Sequence, residues 1–335
     1  MAQIRPDVEL LPSEIDSFIT DVRKSRPRGL ARVLSMVENG HPSSSMILHS
    51  LYNPNRQART IGVTGPPGAG KSTLVNLLIG HWRKLNRKVG VIAVDPSSPF
   101  SGGALLGDRV RMQTHASDPG VFIRSMASRG HLGGLSGATR DALEVMTSAS
   151  YDPVLVETVG VGQAEVEVAS LADITLLVLV PGLGDEVQTM KAGIMEIGDV
   201  IVLNKADRPG IEQLETAVNA SLEFVDDRNA RPRVIRCSAQ TGEGIDILTS
   251  TVDSLLSSGV VGRDNAKRRT TLILNGIIRE KGSELAKKLI SEKFGSIDEA
   301  IESVLSGETT PYMIGKMFSE FLEGIQEKEN GSKQD

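Results

Sequence analysis

Apolar residues along the chain follow two different periods. Between Thr60 and Leu256 short, nearly unbroken runs recur: "IGVT", "VGVIAVD" ending at Asp95, "PVLVET", "ITLLVLV" from Ile174 to Val180, "VIVLNK" ending at Lys205, and "RVIRCSA" ending at Ala239. Such runs do not alternate with polar residues, so they predict strands buried on both faces, the pattern of a parallel sheet covered by helices. The intervening segments carry apolar residues three and four apart, as at Leu74, Leu77, Leu78 and Trp82, which is the spacing of a helix face. The fold class is α/β with a mainly parallel sheet. On either side the strand signal is missing. Residues 1–58 read as an N-terminal helical extension, with "EIDSFITDVRK" and "GLARVLSMVENG" as helices and the Ser/Asn/Pro stretch from His41 to Asn55 as a connector. Residues 261–335 read as helical: Leu274, Ile278, Leu285 and Leu289 share one face, Ile314, Met317, Phe318, Phe321 and Ile325 another, and the tail "QEKENGSKQD" is polar. Three parts are therefore expected, 1–58, 59–260 and 261–335.

Candidate chemistry sits where the first strand meets the first helix. "GPPGAGKST", Gly65, Pro66, Pro67, Gly68, Ala69, Gly70, Lys71, Ser72 and Thr73, fits the phosphate-binding loop G-x-x-x-x-G-K-[ST] with the required strand before and helix after. Glycines let successive backbone N–H groups turn toward a polyphosphate, and the helix N-terminus adds roughly half a positive charge. Lys71 would neutralise the β- and γ-phosphates, and the Ser72 hydroxyl would supply an oxygen to Mg2+. A glycine-proline turn capping an ordinary helix would not need that lysine.

This loop does not distinguish ATP from GTP. Asn204, Lys205 and Asp207 match N-K-x-D at the end of the fifth of the recognised strands. Guanine alone presents two N–H donors on one edge, so a carboxylate at Asp207 can accept both, whereas adenine would leave it unpaired. Asn204 would brace the neighbouring loops and the Lys205 stem would cover the base. Ser238 and Ala239, ending the next strand, bring a backbone N–H toward the guanine O6. Cys237 beside them reads as a small buried residue rather than a reactive thiol. For Mg2+ the further oxygens are expected from Asp95, Asp108 and Glu157. Two of these sit at strand ends, which face the ligand crevice in parallel sheets; Asp108 lies in a Gly-rich segment and can also be read as a solvated acid. Gly160 and Gly162 in "ETVGVGQ" supply hinges for a nucleotide-sensing switch. Gln163 can be read as water-positioning or as structural.

Composition narrows the partners. A formal charge of -5, from 37 basic and 42 acidic residues, argues against nucleic acid, and 3% aromatic content offers no platform for stacked bases. The single cysteine excludes a disulfide framework, and the longest apolar run is too short for a bilayer. A cytoplasmic protein is expected.

Taken in order, "GPPGAGKS", "VDPSSPFSGGALLGDRVRM", "SRGHLGGLSGAT", "ETVGVGQ", "PGLGDEVQTMKAGIMEIGD" and "NKAD" resemble the MeaB/ArgK family of GTPases, chaperones of adenosylcobalamin-dependent methylmalonyl-CoA mutase. The resemblance covers roughly residues 25 to 325. It implies a P-loop NTPase of the SIMIBI type, the branch of signal-recognition and metallochaperone GTPases, with the C-terminal helical arm forming a homodimer. It implies slow, partner-stimulated GTP hydrolysis to GDP that gates cofactor delivery to the mutase, or to a related acyl-CoA mutase, and protects or clears inactivated cofactor. Gly182 to Lys191 would relay the nucleotide state, with Gln188 and Lys191 as its active members. A nickel-delivery GTPase, a phosphotransferase and a GTP-binding module without turnover are the other classes the motifs admit.

Overall fold

The computed structural model describes residues 8–53, 59–95, 115, 117–127, 137–158, 168–169, 171–182, 198–223, 231–257 and 263–331. Seven parallel strands form one sheet: β1 (Thr60–Thr64), β2 (Val89–Asp95), β3 (Val121–Ala127), β4 (Val154–Thr158), β5 (Ile174–Leu179), β6 (Val200–Leu203) and β7 (Arg233–Arg236), in the spatial order β3-β2-β4-β1-β5-β6-β7. Every residue of β1, β4, β5 and β6 is buried, as their unbroken apolar composition requires. β3 and β7 close the two edges.

β3 carries no clear signal in the sequence. Its run "VFIRSMA" is interrupted by Arg124, whose guanidinium hydrogen-bonds Ser35 Oγ at 3.2 Å and pairs with Glu38. An edge strand packed against a polar partner needs no continuous apolar run, and its presence makes the N-K-x-D strand the sixth, not the fifth.

Helices α1 (Pro12–Arg23), α2 (Pro27–Glu38) and α3 (Ser44–Leu51) precede the sheet. The stretch expected to be a connector therefore contains a helix. Its apolar signal is one i,i+4 pair, Ile47 and Leu51, 0% and 4% exposed, too little to stand out among serines. These helices share one apolar core with α5 (Gly137–Ser148) and with Ile92, Val94, Val154 and Val156 of the sheet. α4 (Lys71–Lys84) and α7 (Ile245–Ser257) share a second core with Val89, Val91 and Leu155. Alternate residues of β2 and β4 thus point to opposite faces, as strand geometry demands. α6 (Ile211–Leu222) packs on Leu177, Leu179, Ile201 and Leu203.

Past the sheet lie α8 (Arg263–Phe294), α9 (Ile297–Leu305) and α10 (Pro311–Gly331). α9, absent from the sequence reading, is capped by Ser296, whose Oγ accepts from Glu299 N at 3.1 Å. The chain divides into two compact units, Met1–Leu272 and Ile273–Asp335. Among the described residues no helix is long and apolar enough to cross a membrane.

Candidate nucleotide site

β1 delivers Thr64 to the carboxyl edge of the sheet, where the chain must turn sharply into α4. Gly65, Gly68 and Gly70 make the turn with φ of +134°, +76° and +88°. Gly65 is required by contact as well as conformation, since a Cβ there would lie 2.1 Å from the Val178 carbonyl oxygen of β5. Ala69 is fully buried, while Pro67, Gly68 and Thr73 are exposed at the mouth. Lys71 and Ser72 open α4 and are both buried. The Lys71 ammonium donates to the carbonyls of Gly65 at 2.6 Å and Pro66 at 2.9 Å, so its charge lies over the loop it follows. Ser72 Oγ donates to Glu157 Oε1 at 2.5 Å. Glu157 comes from β4, adjacent to β1 in register with Val63, and is 4% exposed. A hydroxyl and a carboxylate are thereby brought together at the start of the helix, a pair of hard oxygen donors.

The second half of the site is built behind the ends of β6 and β7. Asn204 is 1% exposed and ties three segments together: its backbone N–H donates to Leu179 O at 2.8 Å, its amide nitrogen to Ala69 O at 2.7 Å, and its Oδ1 accepts from Ala239 N at 3.0 Å. Lys205 adopts φ +60° and its Nζ donates to Gly68 O at 2.7 Å. Its stem is therefore laid from the N-K-x-D turn to the phosphate loop. Asp207 Oδ1 accepts from Ser238 Oγ at 2.6 Å, and that bond, chiefly, holds the Asp207 carboxyl below the usual carboxylate range. Ser238 is in turn fixed by Thr241 N, which donates to its Oγ at 3.1 Å, and by its own N–H to Glu243 O at 2.9 Å. The sequence offered Ser238 only as a backbone contact; its side chain orients Asp207. Cys237, fully buried, has its thiol pushed up to about 12 by burial, which suits a packing residue.

The structure thus gathers Gly65 to Thr73, Glu157, Asn204, Lys205, Asp207, Ser238 and Ala239 along one sheet edge. Asp95 ends β2 on the same edge, opposite Ala127 of β3, with only its backbone described. Asp108, Gly160, Gly162, Gln163, Gln188 and Lys191 lie outside the described residues.

A parallel sheet with a glycine loop from its first strand into a helix, and Lys71 and Ser72 at that helix's start, defines the α/β P-loop NTPase class. Within it, the chain belongs to the MeaB family: the family model described as "Methylmalonyl Co-A mutase-associated GTPase MeaB" matches residues 30–291. A putative GTPase of Pyrococcus horikoshii is 42% identical over 324 residues, covering 92% of this chain and 99% of the relative. The GTPase ArgK of Escherichia coli is 39% identical over 239 residues, covering 68% of this chain and 72% of that one. A solved structure described as an LAO/AO transport system kinase aligns with a TM-score of 0.67 and 26% identity over 94% of this chain and 100% of its own. The chain is accordingly a guanine-nucleotide-binding GTPase.

Proposed function

We propose that this GTPase is a chaperone for an adenosylcobalamin-dependent acyl-CoA mutase, methylmalonyl-CoA mutase in the first instance, in which GTP binding and hydrolysis gate cofactor delivery and protect or reactivate the enzyme. The name of the matching family supports the partner. The observation that carries the nucleotide half of the reading is the Asn204 side chain, which joins the phosphate loop at Ala69 to the base loop at Ala239. One ligand touching both loops is the simplest reason to build that bridge.

In this reading Asp207 accepts the two guanine N–H donors, held in orientation by Ser238, while the N–H of Ala239 turns from Asn204 Oδ1 to O6 and the Lys205 stem covers the base. Backbone N–H groups of Gly65 to Thr73 hold the β- and γ-phosphates, and Lys71 exchanges its carbonyl partners for phosphate oxygens. The oxygens of Ser72 and Glu157 suit Mg2+, and Asp95 and Asp108 complete its set directly or through water. Bound there, the metal neutralises charge that develops on the transferred phosphoryl group. Gly160, Gly162, Gln188 and Lys191 form the elements that report nucleotide state to the mutase. The parts 1–58, 59–260 and 261–335 serve as helical extension, GTPase domain and dimerisation arm of a cytoplasmic homodimer.

The test is the rate of phosphate release with and without the mutase. Wild-type protein is expected to hydrolyse GTP faster when the mutase is added, and Lys71→Ala to remain slow in both conditions while still folded. An unstimulated wild type, with no mutase recovered from native cells alongside it, would overturn the partner assignment.

A further inference from the structure

The two recognition loops are each followed by a helix, and the two helices are joined at a distance from the site. α4 begins at Lys71, directly after the phosphate loop; α7 begins at Ile245, directly after the turn of residues 238–244 that holds Ala239. On the α7 side the joint is Asp253. Its Oδ1 accepts from the Trp82 indole N–H at 3.1 Å and from Arg87 Nη1 at 3.0 Å, and its Oδ2 lies 3.2 Å from His81 Nε2. A carboxylate only accepts, so His81 carries its proton on Nε2. Trp82 is fully buried, and its single donor meets Asp253. Both carboxylate oxygens are thus committed to the last turn of α4 and the residues just after it.

At about 1.5 Å per residue, Trp82 lies roughly 16 Å along α4 from Lys71, and Asp253 roughly 12 Å along α7 from Ile245. Between joint and loops the inner sides of the helices share an apolar core through Leu74, Leu78, Leu248 and Val252. A cleft of about 300 Å3 between them is lined by Asn76, Gly80, His81, Lys84, Asp246 and Thr249. Apolar contact is non-directional and tolerates sliding, whereas three directed hydrogen bonds to one carboxylate fix the relative position of two helices.

We propose that Asp253 is a positioning residue for the nucleotide: through Trp82, His81 and Arg87 it holds α4 and α7 in one register, and so holds the phosphate loop and the base loop at the separation a guanine nucleotide spans. This rests on the reading of Gly65 to Thr73 and of Asn204, Asp207 and Ala239 as the two ends of one site. A ligand that reaches both loops gains from a spacing set in advance; a ligand that occupies one loop does not.

Guanosine, pyrophosphate and GDP are each competed against a fluorescent GDP analogue on wild-type protein, Asp253→Ala and Asp253→Asn, with the unfolding temperature recorded alongside. Asp253→Ala is expected to weaken GDP about tenfold while changing guanosine and pyrophosphate by less than about twofold, with Asp253→Asn between, because lost preorganisation falls on the bridging ligand alone. If Asp253→Ala fails to fold, Trp82→Phe removes one donor, and the same pattern is expected at about threefold for GDP. Equal weakening of all three ligands, or a lower unfolding temperature with unchanged GDP affinity, would reduce the joint to a structural contact and overturn the proposal. Failure of guanosine or pyrophosphate to compete on the wild type would overturn the two-loop reading as well, an outcome distinct from equal weakening.

Discussion

α4 and α8 carry the same kind of apolar spacing and have opposite fates. In α4 the residues Leu74, Leu78 and Trp82, four apart, are all 0% exposed. In α8 the residues Leu274 and Ile278, also four apart, are 53% and 65% exposed, with Ile277 beside them at 41%. Helical period states which residues share a face; it is silent on what covers that face. α4 is covered because it follows β1 and lies back along the sheet, with α7 beside it. The opposite side of the same sheet is covered by the N-terminal helices and α5, which enter one core together with Ala149 and Tyr151 just past the end of α5. The exposed face of α8 is the kind of surface that a second copy of the chain would bury, in line with the dimerisation arm proposed above.

The largest test of this contrast is truncation of each stripe. Leu78→Ala is expected to destabilise the protein by about 2–5 kcal/mol, since it opens a cavity in a filled core. Ile278→Ala is expected to change stability by less than about 0.5 kcal/mol in dilute solution, where its face meets water. Denaturant unfolding at low protein concentration measures both. A large loss at Ile278 that grows with protein concentration would show that a second copy covers α8 in solution.

Acid provides a second, smaller contrast. At the far end of α4, Arg83 grips Asp118 with two hydrogen bonds of 2.8 and 3.0 Å, and Gly120 N donates to the same carboxylate at 2.8 Å. The Arg83 bond first, and the Gly120 bond next, hold the Asp118 carboxyl below its ordinary value. Asp253 is lowered too: burial alone would raise it, and the bonds from Trp82, His81 and Arg87 outweigh that. A carboxyl depressed in the folded state stabilises it above the unfolded value near 3.9 and loses that contribution as pH falls through the folded value. The unfolding temperature is therefore expected to fall as pH drops below about 4, and Asp118→Asn to lower it at neutral pH while flattening that fall. On α8 the pair Lys281–Glu284, at 2.9 Å, is exposed on both sides, so Glu284→Gln should change the unfolding temperature little at neutral pH. An unaltered profile in Asp118→Asn would show that the Arg83 grip does not stabilise the fold.

Legibility in the sequence followed the same divide between pattern and context. Of the six strands read in the sequence, β1, β2, β4, β5 and β6 announced themselves because their residues are buried on both faces and need no polar alternation, whereas β7, at the sheet edge, shows only the short apolar pair Val234 and Ile235 between exposed arginines. β3 did not, because Arg124 in its middle has partners in α2 that no local pattern predicts. The phosphate loop and N-K-x-D turn were readable because glycines, Lys71 and Asp207 sit at fixed spacings. What the spacing could not give was the wiring: that Asn204 binds Ala69 and Ala239 at once, that Ser238 orients Asp207 through its hydroxyl, and that Ser72 and Glu157 share a hydrogen bond across 85 positions of chain. These contacts depend on the strand order β4-β1-β5-β6-β7, which a linear pattern does not state.

The smallest expected effect separates the two helices at positions where neither has a side chain. Gly80 lies inside α4 and Gly282 inside α8, and a Cβ added at either would meet no heavy atom within 4 Å. Helix-interior glycine costs about 0.5–1 kcal/mol relative to alanine, mostly through the freedom it gives the unfolded chain. Gly80→Ala should therefore raise stability by about that amount, the new methyl reaching into the cleft beside His81 and Thr249 without displacing anything. Gly282→Ala should match it in dilute solution, because helix propensity is a local property and acts the same in both helices. The two should part only where a second chain approaches α8 closely enough to need the missing Cβ: Gly282→Ala would then weaken association as it strengthens the isolated fold, while Gly80→Ala would leave association untouched. Unfolding free energies at two protein concentrations decide the matter. A destabilising Gly80→Ala would mean that something other than water occupies the α4–α7 cleft.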